Sequence, residues 1–213
     1  MSPEVTLRRA SRADIAAIMA IERRPGFESL ISRSGLAEHE AMLASPEYAY
    51  FVGLDARGAV VAFAILRDLE DRYGNLYLKR IAVFEPGAGV GFAFMTALAN
   101  WAFRETAAHR FWLSTFDSNA RAQRVYEKLG FSRDGVLREA YLGPDGRRRD
   151  LTLMALLRPE WEAPTAAAPQ DLVEGDTASP SRRTRGDVSE RRIEEVVVAS
   201  DGETKGRLPR IIT

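Results

Sequence analysis

Gly87-Ala88-Gly89-Val90-Gly91 stands between an apolar run and an amphipathic one, and its spacing suits work on a phosphate. Backbone without Cβ atoms can approach a ligand closely and turn several N–H groups toward it. A helix starting behind such a loop adds the partial positive charge of its first turn, so backbone alone can hold a pyrophosphate. A ligand-free strand-to-helix turn would use the same glycines, and the loop by itself does not separate the two readings. The G-x-G-x-G spacing departs from the dinucleotide-binding G-x-G-x-x-G, and no Lys-Ser or Lys-Thr pair follows as a Walker loop requires.

A second stretch runs from Asn119 to Phe131. Its spacing predicts a helix with Ala122, Val125, Tyr126 and Leu129 on one face, capped by Asp117-Ser118 and closed by Gly130. Asn119, in the first turn, has an amide that can reach a ligand or cap backbone. Tyr126 lies on the apolar face, and taken alone such a residue is more often a core aromatic with a satisfied hydroxyl than a functional group. Glu85, at the end of the strand before the glycine loop, is the first candidate for a base and Asp117 the second. A solvated loop carboxylate would explain Glu85, and a capping role Asp117. The chain has no cysteine, which excludes a disulfide framework, a thiolate metal site and a cysteine nucleophile. No metal centre is expected. His39 and His109 lie outside both stretches and read as surface residues.

The elements that must position these residues follow from periodicity. Val5 to Arg8 alternates like a strand. Ser11-Arg12-Ala13-Asp14 reads as a capped start for a helix carrying Ile15, Ile18, Met19 and Ile21, and Leu36 to Leu43 as a second helix. Tyr48 to Leu54 and Val60 to Leu66 flank Asp55-Ala56-Arg57-Gly58, a hairpin signal, and Leu76 to Phe84 is a third apolar strand. Phe94, Leu98 and Trp101 mark the helix behind the glycine loop, and Phe111 to Phe116 is a strand. Phe131 to Tyr141 and Arg148 to Leu157 are strands about the turn Gly143-Pro144-Asp145-Gly146. The predicted order is β-α-α-β-β-β-α-β-α-β-β, an α/β fold with a mixed sheet flanked by helices.

The composition of the 213-residue chain is that of a globular protein, 46% hydrophobic and 28% charged. Thirty Lys and Arg balance thirty Asp and Glu, so no global charge draws the chain to nucleic acid or to an anionic membrane. The polar start and the absence of a long apolar run predict a soluble, cytoplasmic protein. After Trp161 the composition shifts to Ala, Pro, Ser, Thr, Asp and Arg. Residues 1–162 are therefore expected to form one domain, and 163–213 a largely disordered tail with a β-prone run at 193–199.

Taken together, the two stretches resemble the motifs of the GNAT superfamily of N-acetyltransferases. Pro86-Gly87-Ala88-Gly89-Val90-Gly91 is similar to the coenzyme A loop Q/R-x-x-G-x-G/A, with proline in place of the Gln or Arg and a shorter loop. Asn119, Ala122, Tyr126, Gly130 and Phe131 match N-x-x-A-x-x-x-Y-x-x-x-G-F throughout. Gly130 to Glu139, with Leu153-Met154, resembles the branch of ribosomal-protein and polyamine acetyltransferases. The resemblance spans about residues 5–158 and implies a GNAT-like, mostly antiparallel sheet.

It further implies an acetyl-CoA donor and an acceptor amine, on a small molecule or a protein N-terminus, that attacks the thioester directly. An alkylamine with a pKa near ~10.4 must first lose a proton, and a thiolate with a pKa near ~8.5 leaves more readily with a proton donor at hand. By the resemblance Tyr126 is that donor. A backbone amide among Ile81, Ala82 and Val83 faces the carbonyl oxygen, and Asn119 touches the pantetheine arm. The phosphates fall on Gly87, Ala88, Gly89, Val90, Gly91 and Phe92. The segment between the first two helices shapes the acceptor site, with Arg24, Phe27 and Arg33 as its candidates. Arginines there suit a carboxylate or phosphate on the acceptor, or form a solvated face. The resemblance leaves a homodimer open. The rival reading is a non-catalytic coenzyme A-binding module that acts through a partner.

Overall fold

The computed structural model describes residues 4–28, 31–143 and 145–163. The chain divides into two units, Met1–Ala163 and Pro164–Thr213. The expected tail and its β-prone run at 193–199 lie outside the described residues.

The elements come in the predicted order: β1 (Thr6–Arg9), α1 (Ile15–Glu22), α2 (Leu36–Ala44), β2 (Tyr48–Leu54), β3 (Val60–Arg67), β4 (Asn75–Val83), α3 (Val90–Glu105), β5 (Arg110–Phe116), α4 (Ala120–Lys128), β6 (Ser132–Leu142) and β7 (Arg148–Leu157). A last short helix, α5 (Arg158–Glu162), was not expected from the sequence. Pro159 stands in its first turn, and the Glu160 carboxylate accepts the Leu157 N–H at 2.8 Å, an arrangement that suits both residues. Arg158 donates to the carbonyls of Phe103, Thr106 and Ala108, so α5 closes the C-terminal end of α3. Trp161 stacks on Phe103 at 5.3 Å.

Seven strands form one sheet in the order β1-β2-β3-β4-β5-β7-β6. Every neighbouring pair is antiparallel except β4 and β5, which run parallel because α3 carries the chain back between them. Side chains alternate across the sheet and feed two cores. Tyr50, Val52, Phe63, Ile65 and Ala82 meet Ile18, Ile21 and Met42 of α1 and α2 on one face. Phe51, Ala62, Ala64, Leu76 and Leu78 meet Phe94 and Leu98 of α3 and Tyr126 of α4 on the other. The double-sided burial explains why β2 and β3 read as continuous apolar runs rather than as alternating ones.

Entry into α1 depends on Asp14. Its carboxylate accepts the Ser11 N–H at 2.7 Å and the Ser11 hydroxyl at 2.9 Å, and it pairs with the Arg8 guanidinium at 2.7 Å. The hydrogen bond from Arg8 chiefly, with those from Ser11, holds Asp14 down at about 2 against the opposing effect of burial. Among the described residues no helix is long and apolar enough to cross a membrane.

Candidate active site

The sheet opens where β4 and β5 part. Their pairing runs only from Asn75↔Arg110 to Leu78↔Leu113, yet β4 continues to Val83 and β5 to Phe116. At that same place β4 carries one extra residue, since Leu66 pairs with Leu78 and Ile65 with Arg80, leaving Lys79 as a bulge. A bulge bends its strand and raises the local twist, which turns the end of β4 away from β5. The Phe84 N–H donates to the Val61 carbonyl at 2.7 Å, on the β3 side. By strand alternation Ala82 also faces β3, while the N–H groups of Ile81 and Val83 face the gap. Of the three residues expected from the sequence, Ile81 and Val83 therefore present donors there and Ala82 does not.

The glycine loop follows at the mouth of this gap. Gly87 has φ +116° and Gly89 φ +81°, conformations that side chains other than glycine rarely adopt. Gly89 is the residue before α3, so the helix begins at Val90 and Gly91 lies inside it. The first bond into the helix is donated by Ala93 to the Gly89 carbonyl. No side chain caps this end, so the N–H groups of Val90, Gly91 and Phe92 have no acceptor within the helix. Such a first turn fits an anion. Glu85 lies in the same loop and is exposed.

α4 contributes more than the motif residues. Asn119 is its cap: Oδ1 accepts the Ala122 N–H at 3.2 Å, and the Asn119 N–H donates to the Phe116 carbonyl at 2.8 Å. Asp117, expected as the cap, is instead held by Arg133 at 3.1 Å and the Thr152 hydroxyl at 3.0 Å. Asn119 displaces it because Asn119 stands directly before the first helical residue. Tyr126 is buried beside Phe131, with ring centroids 5.9 Å apart. Burial alone pushes its hydroxyl above the usual phenol range, so it stays protonated and able to donate. Arg121, which sequence reasoning passed over, reaches the glycine loop, where an ideal Cβ on Gly87 would lie 2.8 Å from its Nη2. Only its position in the first turn of α4 hinted at this.

The α1–α2 segment is organised by a buried ionic network that no motif announced. Arg80, next to the bulge, donates to Glu22 at 2.7 Å, to Ser34 at 3.1 Å and to Ser32 at 2.7 Å. Glu22 also meets His39 Nε2 at 3.2 Å, and His39 Nδ1 meets the Tyr50 hydroxyl at 3.1 Å. Burial would raise the Glu22 carboxyl, but the His39 hydrogen bond and the Arg80 charge outweigh it and keep the group below the ordinary range. His39 is thus fully buried, contrary to the expectation of a surface residue, because α2 turns it into the ionic cluster. His109 is exposed, as expected. Of the acceptor candidates, Phe27 packs against the α1–α2 core, and Arg33 donates to the Glu22 carbonyl and pairs with Glu28 at 3.6 Å. Arg24 lies 4.3 Å from the ring centroid of Phe84.

Known proteins share this fold. A spermidine N-acetyltransferase from Vibrio cholerae, solved with CoA and spermine, superposes with a TM-score of 0.66 at 21% identity, covering 74% of this chain and 97% of that one. This chain is 32% identical over 99 residues, 46% of its length, to a [ribosomal protein bS18]-alanine N-acetyltransferase of Haemophilus ducreyi. It is 31% identical over 93 residues, 40% of its length, to a spermine/spermidine N(1)-acetyltransferase of Bacillus subtilis. The matched stretches span 66% and 61% of those two relatives, under two thirds of each. Residues 15–131, more than half of the chain, match the model of the acetyltransferase (GNAT) family, and the chain belongs to that family.

Proposed function

We propose that this chain transfers the acetyl group of acetyl-CoA to a primary amine, on a small molecule or a protein N-terminus, by direct attack and without a metal. The observation that carries the reading is the bulge at Lys79 where β4–β5 pairing stops, which leaves the Ile81 and Val83 amides facing a gap beside the glycine loop. The first turn of α3 and the Arg121 guanidinium fit the phosphates of coenzyme A, which supplies the acyl thioester. Relatives named for acetyl transfer to a ribosomal-protein alanine and to polyamines support it. A chain without cysteine fits the reducing cytoplasm.

Each residue then has a task. Glu85, directly or through water, takes a proton from the ammonium so that the nitrogen lone pair is free to attack the acetyl carbon. The Ile81 or Val83 N–H donates to the carbonyl oxygen as it gains charge. The C–S bond breaks as the C–N bond is completed, the Tyr126 hydroxyl gives its proton to the departing sulfur, and the second proton shed by the new amide nitrogen returns through water to the Tyr126 phenolate. Asn119, whose Oδ1 is committed to the helix, keeps its Nδ2 donor for the pantetheine arm.

Thiol release from acetyl-CoA in the presence of amino acids, polyamines and N-terminal peptides tests the reading. Release that depends on an amine and falls sharply in Tyr126→Phe is expected. Saturable acetyl-CoA binding with no release against any amine would favour the non-catalytic module instead.

A further inference from the structure

The α1–α2 segment holds three arginines, and two of them are spent on the segment itself. Arg23 donates to the Ser34 carbonyl at 2.7 Å and to the Met19 carbonyl at 3.2 Å. Arg33 is held by the Glu22 carbonyl and by Glu28. Arg24 differs. Among the described residues its side chain makes no hydrogen bond and no ion pair, and its Nη1 is buried without a partner. A guanidinium with no acceptor is costly; Nη1 is closed off by the protein, whereas Nε and Nη2 are not, so an anion would be met by those two donors.

Its place gives the feature direction. Phe84 follows β4 and shares a face with Arg80 and Ala82, the face covered by α1 and α2. Tyr126, α3 and α4 lie on the opposite face. A donor held by the glycine loop occupies the α3–α4 side of the gap, so an acceptor comes from the side of Arg24 and Phe84. A guanidinium stacked on a ring keeps its N–H donors in its own plane, free for a carboxylate or a phosphate. A polycation meets repulsion there.

We propose that Arg24, stacked on Phe84, reads an anionic group carried by the acceptor, so that the preferred substrate is an amine that also bears a carboxylate or a phosphate. The inference rests on the acetyl-transfer reading and narrows it, and it sets this chain apart from the polyamine acetyltransferases it resembles.

Matched acceptors test it on the 213-residue chain: β-alanine against β-alaninamide, phosphoethanolamine against ethanolamine, and spermidine alone. Thiol release is measured at saturating acetyl-CoA for wild type, Arg24→Gln and Arg24→Lys, with the acetyl-CoA-induced thermal shift recorded for each. The wild type is expected to favour an anionic member over its neutral partner in kcat/KM by roughly 10–100-fold, the range for a charged hydrogen bond. The pair with the larger ratio identifies the group. Arg24→Gln should bring that ratio toward one through KM of the anionic member, and Arg24→Lys should retain part of it. Spermidine or the neutral amines turning over fastest in the wild type would overturn the inference and leave acetyl transfer standing. An equal loss on all acceptors in Arg24→Gln would reduce Arg24 to packing and overturn it as well. A thermal shift with acetyl-CoA but no release from any amine would remove the acetyl-transfer reading, and this inference with it.

Discussion

The Arg121 guanidinium rests over Gly87, so close that an ideal Cβ on that glycine would come within 2.8 Å of Nη2. One cation and one left-handed loop therefore share this space, and on the proposed function the phosphates of the coenzyme bind there. The Gln or Arg of the coenzyme A loop pattern is absent, since Pro86 stands there, and Arg121 of α4 brings a cation to the loop instead. Arg121→Ala should weaken acetyl-CoA binding by about 10-fold, the loss of one charge-assisted hydrogen bond. Titration calorimetry at two salt concentrations should show a smaller salt dependence than wild type. Gly89→Val, which forces a branched side chain to φ +81°, should lose binding more completely.

Tyr126→Phe removes only the hydroxyl. Because the ring is packed on Phe131 in the core, affinity for acetyl-CoA should change little. Turnover should fall by roughly 10²–10⁴-fold, the range for a positioned acid. Steady-state rates beside a binding titration separate the two, and a variant near wild-type kcat would return Tyr126 to a packing role.

The ionic cluster under the acceptor segment should be unforgiving. Arg80→Met leaves Glu22 buried with one partner fewer, a loss of about 3–5 kcal/mol for a broken buried pair. The double change Glu22→Gln with Arg80→Met should recover much of it, since the uncompensated charge is gone. Urea unfolding of the two variants measures the difference. Equal stability of the two would show that the Glu22 charge left by Arg80→Met is met by its remaining partners.

Asp14 sets an acid limit. Its carboxyl is held at about 2 in the folded chain against 3.8 as the ordinary value. A depressed acid stabilises the fold at pH above the unfolded value, and that contribution fades as pH falls from near 4 toward 2. Discounted for the partial exposure of Arg8, it amounts to about 1–2 kcal/mol. Asp14→Asn should lower stability at pH 7 and flatten its decline between pH 4 and 2, which denaturation at several pH values will show.

A chain ending after Ala163 should fold and bind acetyl-CoA with wild-type affinity. Trp161, stacked on Phe103 and bonded through Nε1 to Asn100 at 2.9 Å, should be indispensable to that shortened form. Comparison of the truncated chain with its Trp161→Ala variant by thermal melting checks both statements. Loss of binding on truncation would move the domain boundary toward the C-terminus.

Local chemistry made much of this protein readable from its residues. Apolar periodicity located the elements from β1 to β7, since burying one face of a helix or both faces of a strand leaves a pattern along the chain. Glycines at 87 and 89 announced a left-handed loop, and Asn119 with Tyr126 announced the helix behind β5. Three matters depended on atoms that meet only in the folded chain. The cap of α4 fell to Asn119 rather than Asp117 because cap geometry is decided within one residue. The gap between β4 and β5 arises from the bulge at Lys79, a mismatch with β3 that β4 alone cannot show. Glu22, His39 and Arg80 come from three elements, and their charges are tolerable inside only because packing brings them to hydrogen-bonding distance. Periodicity along a sequence reports which residues leave water; which buried polar groups satisfy one another is a matter of tertiary contact.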